Sequence, residues 1–187
     1  MKIAMFGHKR IPSREGGVEI VVEELASRMV KTGNEVTCFN RNGKGCVSQK
    51  YGKRYNFNGI EVKTVPTIDK KGMAAVTAAF FSSVMAAFGK YDIVHIHAEG
   101  PAFFSWIPKL FHKKIVVTVH GLDWQREKWK GGFGAKFIRK GEENAVKYAD
   151  EIIVLSKNVE QYFKTRYNRI TRFIPNGVNR LDDKKSR

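Results

Sequence analysis

The chain has 187 residues, 42% of them hydrophobic, with 17 glycines and 5 prolines: enough apolar residue for one α/β-sized core, and too little bias for a disordered or low-complexity chain. Its 34 lysines and arginines against 18 acids give a formal net charge of +16, so the surface attracts anions, and three partner classes compete: nucleic acid, anionic lipid and phosphorylated small molecules. Two cysteines, Cys38 and Cys46, without a CxxC pair and with no secretory leader ahead of the first apolar run, point to a reducing cytosol and against a disulfide framework.

The run Ile3-Ala4-Met5-Phe6 reads as a strand over about 2–7. The loop that follows, HKRIPSREGG, is basic and ends on Gly16-Gly17. It carries neither GxGxxG, since after Gly7 the next glycines are Gly16 and Gly17, nor the GxxxxGK[ST] of a P-loop. Beyond it Val18, Val21, Val22, Leu25, Ala26 and Met29 recur at helical spacing, and the helix stops at Thr32-Gly33-Asn34. No Ser, Thr, Asp or Asn immediately precedes this helix. Two readings are open. Its first amides are available to an external phosphate, with Arg14 or Lys9 assisting, or the glycines only shape a turn and Glu19 answers the helix dipole.

Further strands are predicted over about 35–40 and 60–65. Gly72 to Gly89 contains 18 residues without a charge, and a helix of that length reaches about 27 Å, the lower edge for a bilayer crossing. It is rich in Ala and Ser, lacks Leu and Ile, and joins two strands, so it is predicted to be a buried crossover helix.

Strands over about 92–98 and 114–120 end in DIVHIHAEG and VVTVHGLDW. If they are neighbours, His97, Glu99 and His120 reach the same sheet edge as the Gly-Gly loop, where ligands of open parallel sheets sit. His95 and His97, with His8 or His120, form one candidate metal set. No Asp or Cys stands at a matching strand end to complete it, whereas a neutral histidine donating to a sugar hydroxyl needs no such company, so no metal is expected. His95 reads as a satisfied core histidine.

Asp123, Trp124, Arg126, Glu127 and Trp129 follow in a loop on the same side. Carboxylates, a guanidinium and an indole suit carbohydrate, while the plainer alternative is a solvated loop with one docked Trp. From Trp124 to Lys140 six basic residues stand against one acid, with aromatics interleaved. Lys128, Trp129, Lys130 and Phe133 read as a membrane-facing segment, although Phe137, Ile138, Ala145 and Val146 equally suit the core face of the next helix. Nucleic acid is disfavoured, because no RNP-like strand or DNA-binding motif is present. The last strands are predicted over about 151–156 and 172–174. The fold class is therefore α/β, a Rossmann-like parallel sheet of six to seven strands with helices on both faces. Residues 1–178 form the domain, and 179–187 a charged tail or the start of a linker.

Taken in order, IPSREGGVEIVVEELA, HIHAEGP, VTVHGLDWQREKW, YADEIIVLSK and IPNGVN resemble the N-terminal half of a bacterial retaining GT-B glycosyltransferase, most like capsular-polysaccharide rhamnosyltransferases. The resemblance covers essentially the whole chain. It implies that Gly16 and Gly17 approach the donor diphosphate beside Arg14, that His120 approaches the transferred sugar, and that Glu99, Asp123, Trp124 and Arg126 face the acceptor. It further implies a nucleotide-sugar donor and a glycan or lipid-linked acceptor, without a metal, in a cytoplasmic protein peripheral to the inner face of the membrane. The family's Glu-x7-Glu motif belongs to a second, donor-side domain; Glu15 with Glu23 and Glu143 with Glu151 match only its spacing. The isolated chain is thus expected to turn over little or nothing. A non-catalytic basic module for acidic membranes or phosphorylated ligands, and a metal-dependent hydrolase at His97 and His120, are the competing classes.

Overall fold

The computed structural model describes residues 1–43, 52–70, 72–122 and 132–177. In chain order the elements are β1 (Lys2–Phe6), α1 (Gly17–Lys31), β2 (Glu35–Arg41), β3 (Arg54–Phe57), β4 (Ile60–Val65), α2 (Met73–Phe88), β5 (Ile93–His97), α3 (Glu99–Ala102), α4 (Trp106–Leu110), β6 (Lys114–Val119), α5 (Phe133–Tyr148), β7 (Glu151–Val154), α6 (Lys157–Tyr167) and β8 (Arg172–Phe173). The strands form one sheet in the order β3-β4-β2-β1-β5-β6-β7-β8. Every pairing is parallel except β3 with β4.

The central strands are near-continuous apolar runs because helices cover the sheet, as parallel sheets require. Ala4, Phe6, Val94, Ile96, Val117 and Val119 enter a large cluster that also contains Ala78 and Ala86 of α2 and Ala145 of α5. Ile3, Met5, Val36, Cys38 and Val62 point the other way, onto Val22 and Ala26 of α1. Each fully buried Val or Ile contributes on the order of 1.5–3 kcal/mol. By the same alternation, His95 and His97 face away from the larger cluster.

The predicted strands are all present, and the sheet gains β3. This short edge strand pairs with β4 through Asn58-Gly59, both in the left-handed region with φ of 51° and 83°. The charge-free segment is α2, whose Ala78, Ala79, Ser82, Ser83, Ala86 and Ala87 are buried. No helix among the described residues is long and apolar enough to cross a membrane.

Candidate functional site

Strand order reverses at β1: its successor in sequence, β2, lies on one side and β5 on the other. The crevice beyond the C-terminal ends of β1 and β5 is thus the switch point where open α/β sheets bind ligands. The two strand ends approach closely. A Cβ on Gly7, whose φ is +113°, would lie 2.0 Å from the His97 carbonyl oxygen, so no side chain fits there.

The loop leaving β1 is braced from two sides. Asn40 of β2 holds it through its side-chain amide: Oδ1 accepts from Ile11 N and His8 Nε2 at 3.0 Å each, and Nδ2 donates to Ile11 O at 3.0 Å. This pattern orients the amide and puts the His8 proton on Nε2, leaving Nδ1 buried and without a hydrogen-bond partner among the described residues. From α1, the buried carboxylates of Glu19 and Glu23 accept from Lys9 N at 2.9 Å and Ser13 N at 3.3 Å. Arg14, mostly exposed, pairs with Glu23 at 3.1 Å.

Gly16 is the N-cap of α1 and carries no side-chain cap. The Glu19 carboxylate folds back against it: a Cβ on Gly16 would meet Glu19 Oε2 at 2.1 Å, whereas one on Gly17 would meet nothing within 4 Å. The opening turn thus has both features read from the sequence, amides uncapped by a preceding side chain and a nearby acid. An anion entering there meets the Glu19 charge as well as the amide dipoles.

Across the crevice, β5 and β6 place three histidines side by side. His95 Nε2 lies 2.7 Å from Thr118 Oγ1, and the His95 and His97 rings stack at 4.3 Å. His97 Nδ1 lies 3.2 Å from His120 Nε2, just past the end of β6. His97 Nε2 is buried without a hydrogen-bond partner among the described residues. An orphan acceptor costs less than an orphan N–H, so the favoured arrangement has His97 Nδ1 donating and the His120 proton on Nδ1. Burial favours the neutral form of His95 and His97. It brings His95 to about 4, with His120 adding repulsion, and His97 well below its ordinary value. His8 is likewise brought to about 4 by burial, partly offset by its bond to Asn40.

Between His97 and Glu99, Ala98 has φ 76° and ψ 156°, a region that only glycine occupies without strain. That sharp corner turns β5 into α3 and sets the completely buried Glu99 at its start. A shallow pocket beside the corner is lined by Gly7, His8, Arg41, Ala78, Ser82 and Pro101. Arg41 ends β2 there, its basicity lowered by burial and partly restored by Glu19.

The structure therefore brings Gly16, Gly17, Arg14, Glu99 and His120 to one sheet edge. Asp123, Trp124, Arg126, Lys128, Trp129 and Lys130 lie outside the described residues, and Phe133 is the first residue of α5. No group of three His, Cys, Asp or Glu among the described residues is arranged to hold a metal ion. Sequence reasoning missed Arg41 and Asn40. Their position at the C-terminal end of a strand feeding the same edge was the available signal.

A family model described as Glycosyltransferase Family 4 matches residues 15–180. A search of curated protein sequences gives no match. Among solved structures, sucrose-phosphate synthase from Thermosynechococcus elongatus is similar with a TM-score of 0.74 at 18% identity, over 95% of this chain and 48% of that one. Anabaena HepE, solved with UDP and glucose, gives 0.61 at 17% identity over 96% and 45%. Arabidopsis thaliana UGT89C1, solved with UDP, gives 0.57 at 11% identity over 95% and 48%. The chain spans about half the length of these three structures.

Proposed function

The chain belongs to Glycosyltransferase Family 4, and from that premise we propose that it is the acceptor-side half of a retaining GT-B sugar transferase. The reading is supported by one observation above all: an uncapped helix N-terminus and a hydrogen-bonded histidine pair, backed by the fully buried His97, converge on the switch point of the sheet. The donor is a nucleotide-diphosphate sugar, the class of ligand named for the solved HepE and UGT89C1 structures. In the proposed complex the Gly16 and Gly17 amides and Arg14, released from Glu23, hold diphosphate oxygens. His120, held by His97, donates to the sugar being moved. Glu99, Asp123, Trp124 and Arg126 take the acceptor.

The finer reading is rhamnosyl transfer to a glycan or lipid-linked acceptor in capsule or other surface-polysaccharide synthesis. The protein is then cytoplasmic and peripheral on the inner face of the cytoplasmic membrane. A donor-side domain, in cis or trans, completes the cleft. The reaction as proposed uses no metal, and this half alone turns over little, because positioned charges around the leaving diphosphate supply most of the rate.

The test is titration with dTDP- and UDP-sugars, then a transfer assay on lipid-linked acceptor with a donor-side domain supplied. The expected result is donor-dependent transfer that His120→Ala reduces by about a hundredfold or more. Equal transfer by wild type and His120→Ala, or none with any donor, overturns the assignment. The net charge of +16 favours one second reading, a basic module that binds acidic membranes or phosphorylated ligands without catalysis. It gains if binding is tight and transfer is absent.

A further inference from the structure

Helix α2 has its apolar character on the wrong side for a helix that faces water. Its sheet-facing residues are the small Ala78, Ala79, Ser82, Ser83, Ala86 and Ala87, while Phe80, Met85 and Phe88 point outward, Phe88 being 72% exposed. An ordinary surface helix shows the reverse. Small residues let α2 lie close on the sheet, but nothing in that packing calls for large apolar side chains outside.

The neighbouring helix continues the pattern. α4 packs against α2 and exposes Trp106 and Leu110, the latter by 67%, and ends at the exposed Phe111. The Phe88 and Phe111 rings touch at 4.6 Å between centroids, and Phe80 meets Phe104 edge-on at 5.6 Å. The two helices therefore present one aromatic surface. Contiguous apolar surface of this kind marks an interaction site.

Lysines rim it. Lys70 precedes α2, Lys90 follows it, and Lys114 follows the α4 turn, all exposed. Lys113 Nζ donates to Gly89 O at 2.8 Å, tying the end of α2 to the segment after α4. The nearby acids Asp69, Asp92 and Asp150, the last paired with Lys109, are outnumbered by Lys70, Lys90, Lys109, Lys113 and Lys114, so the rim stays cationic on balance.

We propose that this α2–α4 face docks on an anionic lipid bilayer, with Phe80, Phe88, Leu110 and Phe111 entering the boundary between headgroups and acyl chains and Lys70, Lys90 and Lys114 meeting lipid phosphates. Aromatic and aliphatic side chains ringed by lysine are the composition of an interfacial contact. A second copy of the chain fits less well, because an isologous contact would set the same lysines against one another. The contact lies in the interface plane and needs no spanning helix, in keeping with α2 and α4 lying against the body of the domain. The inference rests on the peripheral placement proposed above and deepens it by naming the contact face: it stands on side chains outside the 128–133 segment, and it holds whether or not transfer is demonstrated.

The test is co-sedimentation of the full chain with phosphatidylcholine vesicles, with and without phosphatidylglycerol. Binding is expected only with the anionic lipid. Phe80→Ser/Phe88→Ser/Leu110→Ser should weaken it by about tenfold or more, and Lys70→Glu/Lys90→Glu/Lys114→Glu should remove the preference for phosphatidylglycerol. A second measurement needs no change in the patch. In a Trp124→Phe/Trp129→Phe background, Trp106 fluorescence should be quenched by brominated lipid. Absence of vesicle binding, of quenching, or of any loss in the triple serine variant overturns the proposal. So does a lipid-independent dimer, seen by ultracentrifugation, that the serine variant dissociates. Nucleotide-sugar titration of the triple serine and triple glutamate variants keeps the two readings apart, since donor binding should not change.

Discussion

His97 and His120 meet nitrogen to nitrogen, Nδ1 to Nε2 at 3.2 Å, with His97 completely buried behind His120. The pair fixes the tautomer and direction of the outer ring from within the sheet, as a buried partner does for any histidine that must point at a ligand. His97 is thus a positioning residue. In the reconstituted transfer assay, His97→Ala should lower kcat by about tenfold or more with a smaller change in KM, because a misaimed ring loses transition-state contacts more than binding. His97→Asn, which retains a donor near the same place, should recover part of the loss. Equal effects of Ala and Asn on kcat, KM and thermal stability would indicate packing alone.

Three buried histidines make stability depend on pH. His8 and His95 titrate at about 4 in the folded chain and His97 well below 6.5, while the unfolded chain binds their protons near 6.5. Between these values the unfolded state holds more protons, so stability rises with pH. It should be fully present above about pH 7 and fall as pH drops from 6.5 toward 4, by at most about 3 kcal/mol for each histidine shifted that far. Urea midpoints across this range should show the slope, and His8→Gln should reduce it. A flat profile would mean these rings reach water in the folded protein.

Ala98 holds a backbone conformation suited to glycine, with φ 76° and ψ 156°. Relief of that strain is worth about 1–3 kcal/mol, against about 0.5–1 kcal/mol of added unfolded-chain entropy for glycine. Ala98→Gly is therefore expected to raise stability by about 1 kcal/mol, read from denaturant midpoints at constant slope. A loss of stability would contradict the strained corner.

Glycines separate packing from ligand approach. A Cβ on Gly141 of α5 would lie 2.0 Å from the Glu99 carbonyl oxygen, so Gly141→Ala must push α5 off α3 and should cost about 3 kcal/mol or more. Gly17→Ala meets nothing within 4 Å and should fold normally. If Gly17 serves diphosphate approach, that variant keeps its melting temperature and loses donor affinity. Unchanged affinity would remove Gly17 from the site.

Much of the sheet was legible because strands buried on both faces read as unbroken apolar runs, as Ile115-Val116-Val117 does. The edge strand β3 escaped because RYNF carries no such run. Asn58-Gly59 was the signal that could have found it. Glu19 was read as a dipole partner, but its contacts with Lys9 N and Gly16 depend on how the loop folds back on α1. Helix α2 was readable as a crossover from its missing charges. Which of its apolar residues face outward was not, since small and large residues alike looked buried in a one-dimensional pattern.

By itself the sequence determined the alternation of strands and helices, the glycine-ended basic loop, the histidines at strand ends and the cationic balance, because each rests on residue type and short-range spacing. Only the tertiary structure decided that His97 backs His120, that Arg14 spends its charge on Glu23, and that Phe80, Phe88 and Leu110 face out beside lysines. The reason is physical: these relationships join residues distant in the chain, and sheet order and register, which set them, come from packing the whole core at once.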